Sequence, residues 1–330
     1  MQRKKETIDE LLHKLNQGVK GFMESDQYKS YLKCLSKFHN YSLNNTILIA
    51  MQKPDATLVA GYQTWKQLGR HVKAGEKGIK ILAPAPFHTK VLVDETDPET
   101  GERLFHANGT PKKTEKVIEV AAFKPVSVFD ISSTEGKELP LVSQELKGSV
   151  KGYETFREIL TELSRVPIEF VEIQNGAKGY YSPSENKICI QKGMSEMQTI
   201  KTMIHEQCHS ILHTKEALHD VKKSRMQIET EAESVAYVVC NHFGLDTSDY
   251  SFPYLANWSS GKDLTELKAS LDTIKKTASE MIRDVEKRLA IKDIEKQPIT
   301  MRIEEFQMMI DRMERENCAK ALSKYAERTT

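Results

Sequence analysis

His205-Glu206-Gln207-Cys208-His209 sets two imidazoles four residues apart, with a carboxylate beside the first. On a helix, positions i and i+4 lie one turn apart on the same face, so both rings can aim a nitrogen at one point. That is the arrangement of a metal-ligand pair, and zinc accepts such nitrogens at about 2.0–2.1 Å. A catalytic zinc takes one further protein ligand and keeps a position for water. Glu206 is then placed to take the water's proton. The third ligand is expected from Met226 to Cys240, which carries Glu229, Glu231 and Glu233 in its first turns. All three stay open on residue type alone, and a helix N-terminus favours acids even without an ion. Glu231 adjoins the apolar stripe Ile228, Ala232, Val235 and Val239. His213 extends the histidine row by another turn, either as a fourth ligand or as a packed or exposed side chain.

Such groups need rigid elements behind them. Ile200, Met203, Ile204, Cys208, Ile211 and Leu212 recur at helical spacing, which predicts a half-buried helix under the pentad with Ser195 as its N-cap. Cys208 belongs to its core face. Phe156, Ile159, Leu160 and Leu163 mark an earlier helix, and Ile168 to Ile173 a strand. Gly179 to Ser182 and Lys187 to Gln191 read as a hairpin around Ser184-Glu185-Asn186. The expectation is a small sheet packed on the pentad helix. The aromatic loop His242 to Trp258 offers Tyr250 or Tyr254 to steady an oxyanion, with packing as their alternative use. Leu264 to Leu289 and Ile303 to Leu322 carry long apolar stripes suited to helix packing.

The N-terminal third suits a different chemistry. Residues 1–90 hold 15 Lys+Arg against 7 Asp+Glu, while the remainder holds 33 against 40. A basic module beside an acidic one suggests a polyanion partner, although a solvated face gives the same excess. Three amphipathic helices are expected first, with Thr7 and Glu10 as a capping box and Ser42 as a cap. Strands follow at Thr57 to Val59, Ile79 to Ala83 and Val117 to Val128, with a loop or hairpin at His88 to Thr114. Sequence-tolerant binding of a single strand needs cations for phosphates and aromatic faces for bases. Tyr41, Tyr62 and Trp65 supply faces, and Lys66, Arg70, Lys73, Lys77 and Lys80 supply charge. Asn44 and Asn45 can bond sugars or base edges, and the Gly75 and Gly78 turn can bring backbone amides to a phosphate. Trp65 serves equally well as core, and Asn44 as a helix-start residue.

At 39% hydrophobic and 29% charged residues, the composition is that of a soluble globular protein rich in surface helix. No apolar run reaches transmembrane length and the N-terminus lacks a signal-peptide core, so a cytoplasmic protein with no membrane partner is expected. Cys34, Cys189, Cys208, Cys240 and Cys318 are scattered and form no C-x-x-C pair, which argues against a disulfide framework.

The ordered string Tyr41-Ser42-x-Asn44-Asn45, Gly61-Tyr62-x-Thr64-Trp65, Gly69-Arg70-x-Val72-Lys73-x-Gly75-Glu76-Lys77-Gly78 and Val128-Phe129-Asp130 resembles the single-stranded-DNA-binding domain of ArdC-type antirestriction proteins of mobile and conjugative elements. Residues from about 150 to 260 resemble the zincin-like metallopeptidase domain that follows it in that family. The nineteen residues between His209 and Glu229, and Glu229-x-x-Ala232-Glu233, resemble the Glu-zincin pattern. This resemblance implies Glu229 as the third zinc ligand and Glu233 as the group that holds a ligand histidine by its other ring nitrogen; Glu231, beside the apolar stripe, is the fallback ligand. Gln207-Cys208 departs from the apolar-small pair usual there.

The expected fold class is therefore α+β. A mixed α/β domain that binds single-stranded DNA spans 1–135, a linker 136–150, a zincin-like domain 151–261 and a helical extension 262–330. The expected function is DNA-binding antirestriction with a zinc-peptidase site. The alternatives are a DNA-targeted endopeptidase that cleaves a regulatory or restriction protein, and a non-catalytic module stapled by zinc.

Overall fold

The structure, a computed structural model, describes residues 7–22, 25–98, 100–139, 141–142, 152–174, 176–214, 223–245, 252, 259, 262–293, 301–302 and 307–314. Its architecture is α+β, with mixed sheets and long C-terminal helices. The chain opens with α1 (Ile8–Gly21), α2 (Ser25–Lys37) and α3 (Leu43–Gln52). Thr7 and Glu10 close a reciprocal capping box at the start of α1, and Ser42 accepts the Asn45 N–H at the start of α3. There follow β1 (Val59–Gly61), α4 (Tyr62–Gln67), β2 (Arg70–Val72), β3 (Ile79–Pro84), β4 (Phe87–Asp94), β5 (Lys113–Val120), β6 (Phe123–Asp130), β7 (Thr134–Gly136) and β8 (Leu141–Val142). An antiparallel sheet runs in the order β1-β6-β3, with α3 packed against β3. Gly78 enters this sheet where an added Cβ would lie 2.8 Å from the Ser127 side chain, so the approach requires glycine.

Two expectations change here, each for a local reason. The strand expected from Thr57 starts only at Val59, because the Asp130 carboxylate takes the N–H groups of Thr57 and Leu58 at 2.8 and 3.2 Å. The strand expected over Val117 to Val128 is two strands, since Ala85 N–H reaches Ala122 O and turns the chain between β5 and β6. Of the loop or hairpin expected at His88 to Thr114, the hairpin forms: β4 pairs with β5 as a two-stranded ribbon.

The second half contains α5 (Tyr153–Leu163), β9 (Ile168–Val171), β10 (Gly179–Ser182), β11 (Lys187–Gln191), α6 (Glu196–Leu212), α7 (Arg225–His242), α8 (Leu264–Asp293) and β12 (Met301–Arg302). The mixed sheet β10-β11-β9 pairs β11 antiparallel to β10 and parallel to β9. Asn186 turns the hairpin with φ +50°, a conformation asparagine tolerates. Ile188 and Ile190 of β11 are buried in the same core as Ile200, Met203 and Ile204 of α6, and the sheet packs on that helix. Ser195 caps α6 by accepting from Gln198 N–H, and Ser224 caps α7 by accepting from Gln227 N–H. Helix α7 touches α6, α2 and α8, which explains why Thr230 to Val239 is almost wholly buried.

One apolar core runs without a break from Leu11 through α7 to Val285 of α8. Polar ties cross it: Tyr28 and Ser234 hydroxyls meet at 2.8 Å, and Ser36 Oγ donates to Asn241 Oδ1 at 2.7 Å. A second, smaller core gathers Leu58, Ala60, Trp65 and Ile310. Residues 307–314 are helical, and Gln307 pairs with both the N–H and C=O of Val59 at 3.0 Å. Among the described residues, Cys34, Cys189, Cys208 and Cys240 are buried free thiols, and no helix is long and apolar enough to cross a membrane.

Candidate metal centre

His205 and His209 stand one turn apart on α6, and Glu229 faces them from the first turns of α7. One donor atom from each lies within 4.8 Å of the other two. The two histidine Nε2 atoms face each other at 3.0 Å, and Glu229 Oε2 stands 3.6 Å from the first and 3.8 Å from the second. Ligands about 2.0–2.1 Å from a tetrahedral ion are roughly 3.3 Å apart, so the three edges bracket the spacing a small cation needs. Two imidazole nitrogens pointing at each other and at one carboxylate oxygen share more lone pairs than protons, which a cation relieves. The donor set therefore fits a divalent ion.

The surrounding groups hold these donors in place. Glu233 Oε2 lies 3.3 Å from His205 Nδ1, while its other oxygen accepts from Lys201 Nζ at 2.8 Å. Lys201 precedes His205 by one helical turn, so periodicity could have named it. Glu231 turns away from the cradle: its Oε2 lies 3.2 Å from His213 Nε2 and accepts from Lys223 Nζ at 2.6 Å. Neither Glu231 nor His213 reaches the ion position, which removes the fallback ligand and the fourth ligand considered from sequence. Tyr250 and Tyr254 lie outside the described residues.

The electrostatics follow from burial and partners. Burial opposes charge on His205, but the Glu229 and Glu233 carboxylates beside it overcome that and raise its pKa to about 9. A cation would take the place of that proton. His209 is pushed the other way, first by burial and then by the positive His205. Glu229 is held low, chiefly by the His205 ring beside it. Burial works against ionised Glu233, yet its bonds to His205 and Lys201 keep it below the usual carboxylate range. Glu206 is only 7% exposed, and burial raises its carboxyl pKa despite His205 and the Tyr181 backbone N–H. Tyr181, on β10, was not foreseen. These groups line a cleft of about 630 Å³ together with Lys178, Tyr180 and Arg225.

The N-terminal candidates divide differently. Tyr62 is 52% exposed, and Lys66, Lys73 and Lys77 also face solvent. Trp65 is 0% exposed and its Nε1–H donates to Phe129 O at 2.9 Å, so it is corrected from stacking platform to core. Asn45 is likewise internal: its side chain donates to Leu82 O and accepts from Leu82 N–H, both at 2.9 Å. Arg70 spends its guanidinium on Thr134 Oγ1, Thr134 O and Lys137 O. Lys73 and Lys80 donate to Ser132 O and Ser127 Oγ. Tyr41 and Asn44 are half-buried, and the Tyr41 ring meets Phe38 edge-on.

Residues 1–129 match the family described as the N-terminal domain of the anti-restriction factor ArdC. An uncharacterized Bacillus anthracis protein, pXO2-81, is 28% identical over 326 residues, covering 87% of this chain and 52% of that protein. The chain thus spans about half the length of this curated relative. Two solved structures of the antirestriction ArdC protein from the R388 plasmid are similar as well. The metal-free one is 20% identical with a TM-score of 0.44, covering 78% of this chain and 87% of that one. The Mn(II)-bound one is 17% identical with a TM-score of 0.46, covering 76% and 85%. The expectation of zinc is corrected on this finding: the ion in the similar solved structure is Mn(II). The chemistry agrees, because two imidazoles and one carboxylate accept most first-row divalent ions and select none by themselves.

Proposed function

We propose that this chain is an antirestriction-type protein of a mobile element. In this reading it binds single-stranded DNA through residues 1–135 and carries a metallopeptidase-type site, of zincin-like layout, within residues 151–261. Residues 136–150 link the two and 262–330 extend the second; the setting is the cytoplasm. The observation that carries the reading is the match of residues 1–129 to the ArdC N-terminal domain, in a chain that also holds a three-ligand cation cradle. Tyr62, Lys66, Lys73 and Lys77 are the exposed groups suited to a base face and to phosphates, and the half-buried Tyr41 and Asn44 are further candidates.

His205, His209 and Glu229 would hold a divalent ion. When bound, such an ion supplies Lewis-acid polarisation of a carbonyl and eases ionisation of water. Glu206 then acts as the base: its buried carboxylate, steadied by the Tyr181 N–H, takes a proton from the attacking water and returns it to the leaving amine. His213 is tied to Glu231 and does not close the cradle, and among the described residues the cleft beside it is open to substrate. That supports catalysis over a purely structural metal. Binding with antirestriction ranks first, and cleavage of a regulatory or restriction protein near the bound strand ranks second.

The test combines metal analysis, strand binding and one variant. Purified chain should retain about one divalent ion, and bind single strands more tightly than duplex with an affinity that falls steeply with salt. Glu206→Gln should keep the ion and the strand affinity while lowering peptide cleavage by about 10²–10⁴-fold. Undiminished cleavage of a genuine substrate would remove Glu206 from its role. A flat salt response would remove the phosphate contacts.

A further inference from the structure

Glu231 has no exposed surface, and its carboxylate is satisfied by four groups. Oε2 faces His213 Nε2 at 3.2 Å and accepts from Lys223 Nζ at 2.6 Å. Oε1 accepts from Gln227 Nε2 and from Ser270 Oγ, each at 3.1 Å. An ionised carboxylate only accepts, and these partners all have protons to give. His213 is the C-cap of α6, one turn beyond His209. Its second nitrogen, Nδ1, lies 2.9 Å from His209 Nδ1.

The protons along this row can be assigned by elimination. A neutral His213 carries its hydrogen on Nε2, because a lone pair there would face the carboxylate. Its Nδ1 is then an acceptor, so the proton between the two Nδ1 atoms belongs to His209. His209 Nε2 is left with its lone pair, and that nitrogen faces His205 Nε2 and Glu229. His205 would reach the same state in one step once a cation displaces its Nε2 proton, through Glu233 at its Nδ1.

We propose that His213 and Glu231 form a two-step relay that fixes the tautomer and ring orientation of His209 for a metal ion. Both are positioning residues, and neither is a ligand. The proposal rests on reading His205, His209 and Glu229 as the cation cradle. It gives a use to the buried carboxylate that the proposed reaction leaves idle, and to the histidine one turn past the pentad. It also accounts for Gln227, Lys223 and Ser270, which hold Glu231 and never touch the cleft's ion position.

The full chain, stripped with chelator, is examined by ¹⁵N NMR of its histidine rings, and Mn(II) and Co(II) affinities are measured by chelator competition. His209 should show the Nδ1–H tautomer. His213→Phe removes the acceptor and should weaken both ions by roughly 10–100-fold, the size usual for loss of a group that orients a ligand. His213→Asn, whose Oδ1 can still accept from His209 Nδ1–H, should recover most of that loss. Should His213→Phe fail to fold, His213→Gln replaces it, since it keeps a donor for Glu231 and moves the acceptor away from His209. Unchanged affinity in a folded His213→Phe, or an Nε2–H tautomer at His209, overturns the relay. If the unaltered chain binds neither ion, the cradle reading fails and the tautomer alone decides the relay.

Discussion

Between α6 and α7, polar side chains from two helices face one another, and each is held by one partner so that another atom points at a shared position. Glu233 holds His205 while that ring's Nε2 faces Glu229. On residues 41–80 several of the side chains that suggested binding are consumed internally. Asn45 spends both ends of its amide on Leu82, Arg70 spends its guanidinium on Thr134 and Lys137, and Trp65 is core. The comparison teaches that a conspicuous side chain says little about its use until its neighbours are known. Two helices with fixed periodicity supply those neighbours. A string of turns and short strands does not.

The largest expected effect sharpens this contrast. Trp65→Ala should cost roughly 3–5 kcal/mol of stability, because it empties the small core shared with Leu58, Ala60 and Ile310 and removes the indole hydrogen bond to Phe129 O. Tyr62→Ala, three residues earlier and exposed, should leave the denaturation midpoint where it was while weakening strand binding about tenfold, as loss of one stacking face does. Equal midpoints for the two variants would break the distinction. Asn45→Ala comes next: it leaves the Leu82 N–H and C=O without their partner and should cost about 1–3 kcal/mol.

The parts of the molecule legible in the sequence were those set by period. The pentad helix, its Ser195 cap and the hairpin about Asn186 fall within a residue or so of where spacing puts them. Residue type left Glu229, Glu231 and Glu233 open, and only the resemblance of the spacing favoured Glu229, the acid whose carboxylate lies near both histidines. What spacing could not supply was contact between distant segments. Asp130 trims β1 by binding Thr57 and Leu58 across more than seventy residues of chain. Glu231 meets Ser270 from α8, and Tyr181 meets Glu206 from β10. Nor did residue type fix the ion, because the same three donors serve several metals.

A seam joins the two regions, and it should respond to acid. His39 packs edge-on against His242 at 4.8 Å, and His242 Nε2 meets Glu286 Oε1 at 3.0 Å. Burial, and then the neighbouring His242, lower the His39 pKa to about 3. An unfolded histidine titrates near 6.5, so between those values the unfolded chain binds more protons. Stability from this group is thus full above about pH 6.5 and falls as pH drops toward 3, by at most about 1.4 kcal/mol per pH unit. Denaturation midpoints of the intact chain and His39→Gln should converge as pH falls through that window. Parallel curves would show that His39 does not set the acid limit.

The smallest effect separates cations that look alike in the sequence. Lys66 and Lys77 face solvent, whereas the charged end of Arg70 is bonded to two carbonyls and a hydroxyl. A cation that meets a phosphate releases a counterion, and for a single strand each such contact adds about 0.7 to the slope of log affinity against log salt. Replacing Lys66 and Lys77 together by alanine should therefore lower that slope by about 1.4 with no change in stability. Arg70→Ala should do the reverse, leaving the slope alone while lowering the denaturation midpoint as β7 loses its clasp to the neighbouring strand. If Arg70→Ala instead lowers the slope and spares the midpoint, its guanidinium leaves those carbonyls for phosphate. The N-terminal face would then resemble the helix pair, with side chains held by the fold yet available to a ligand.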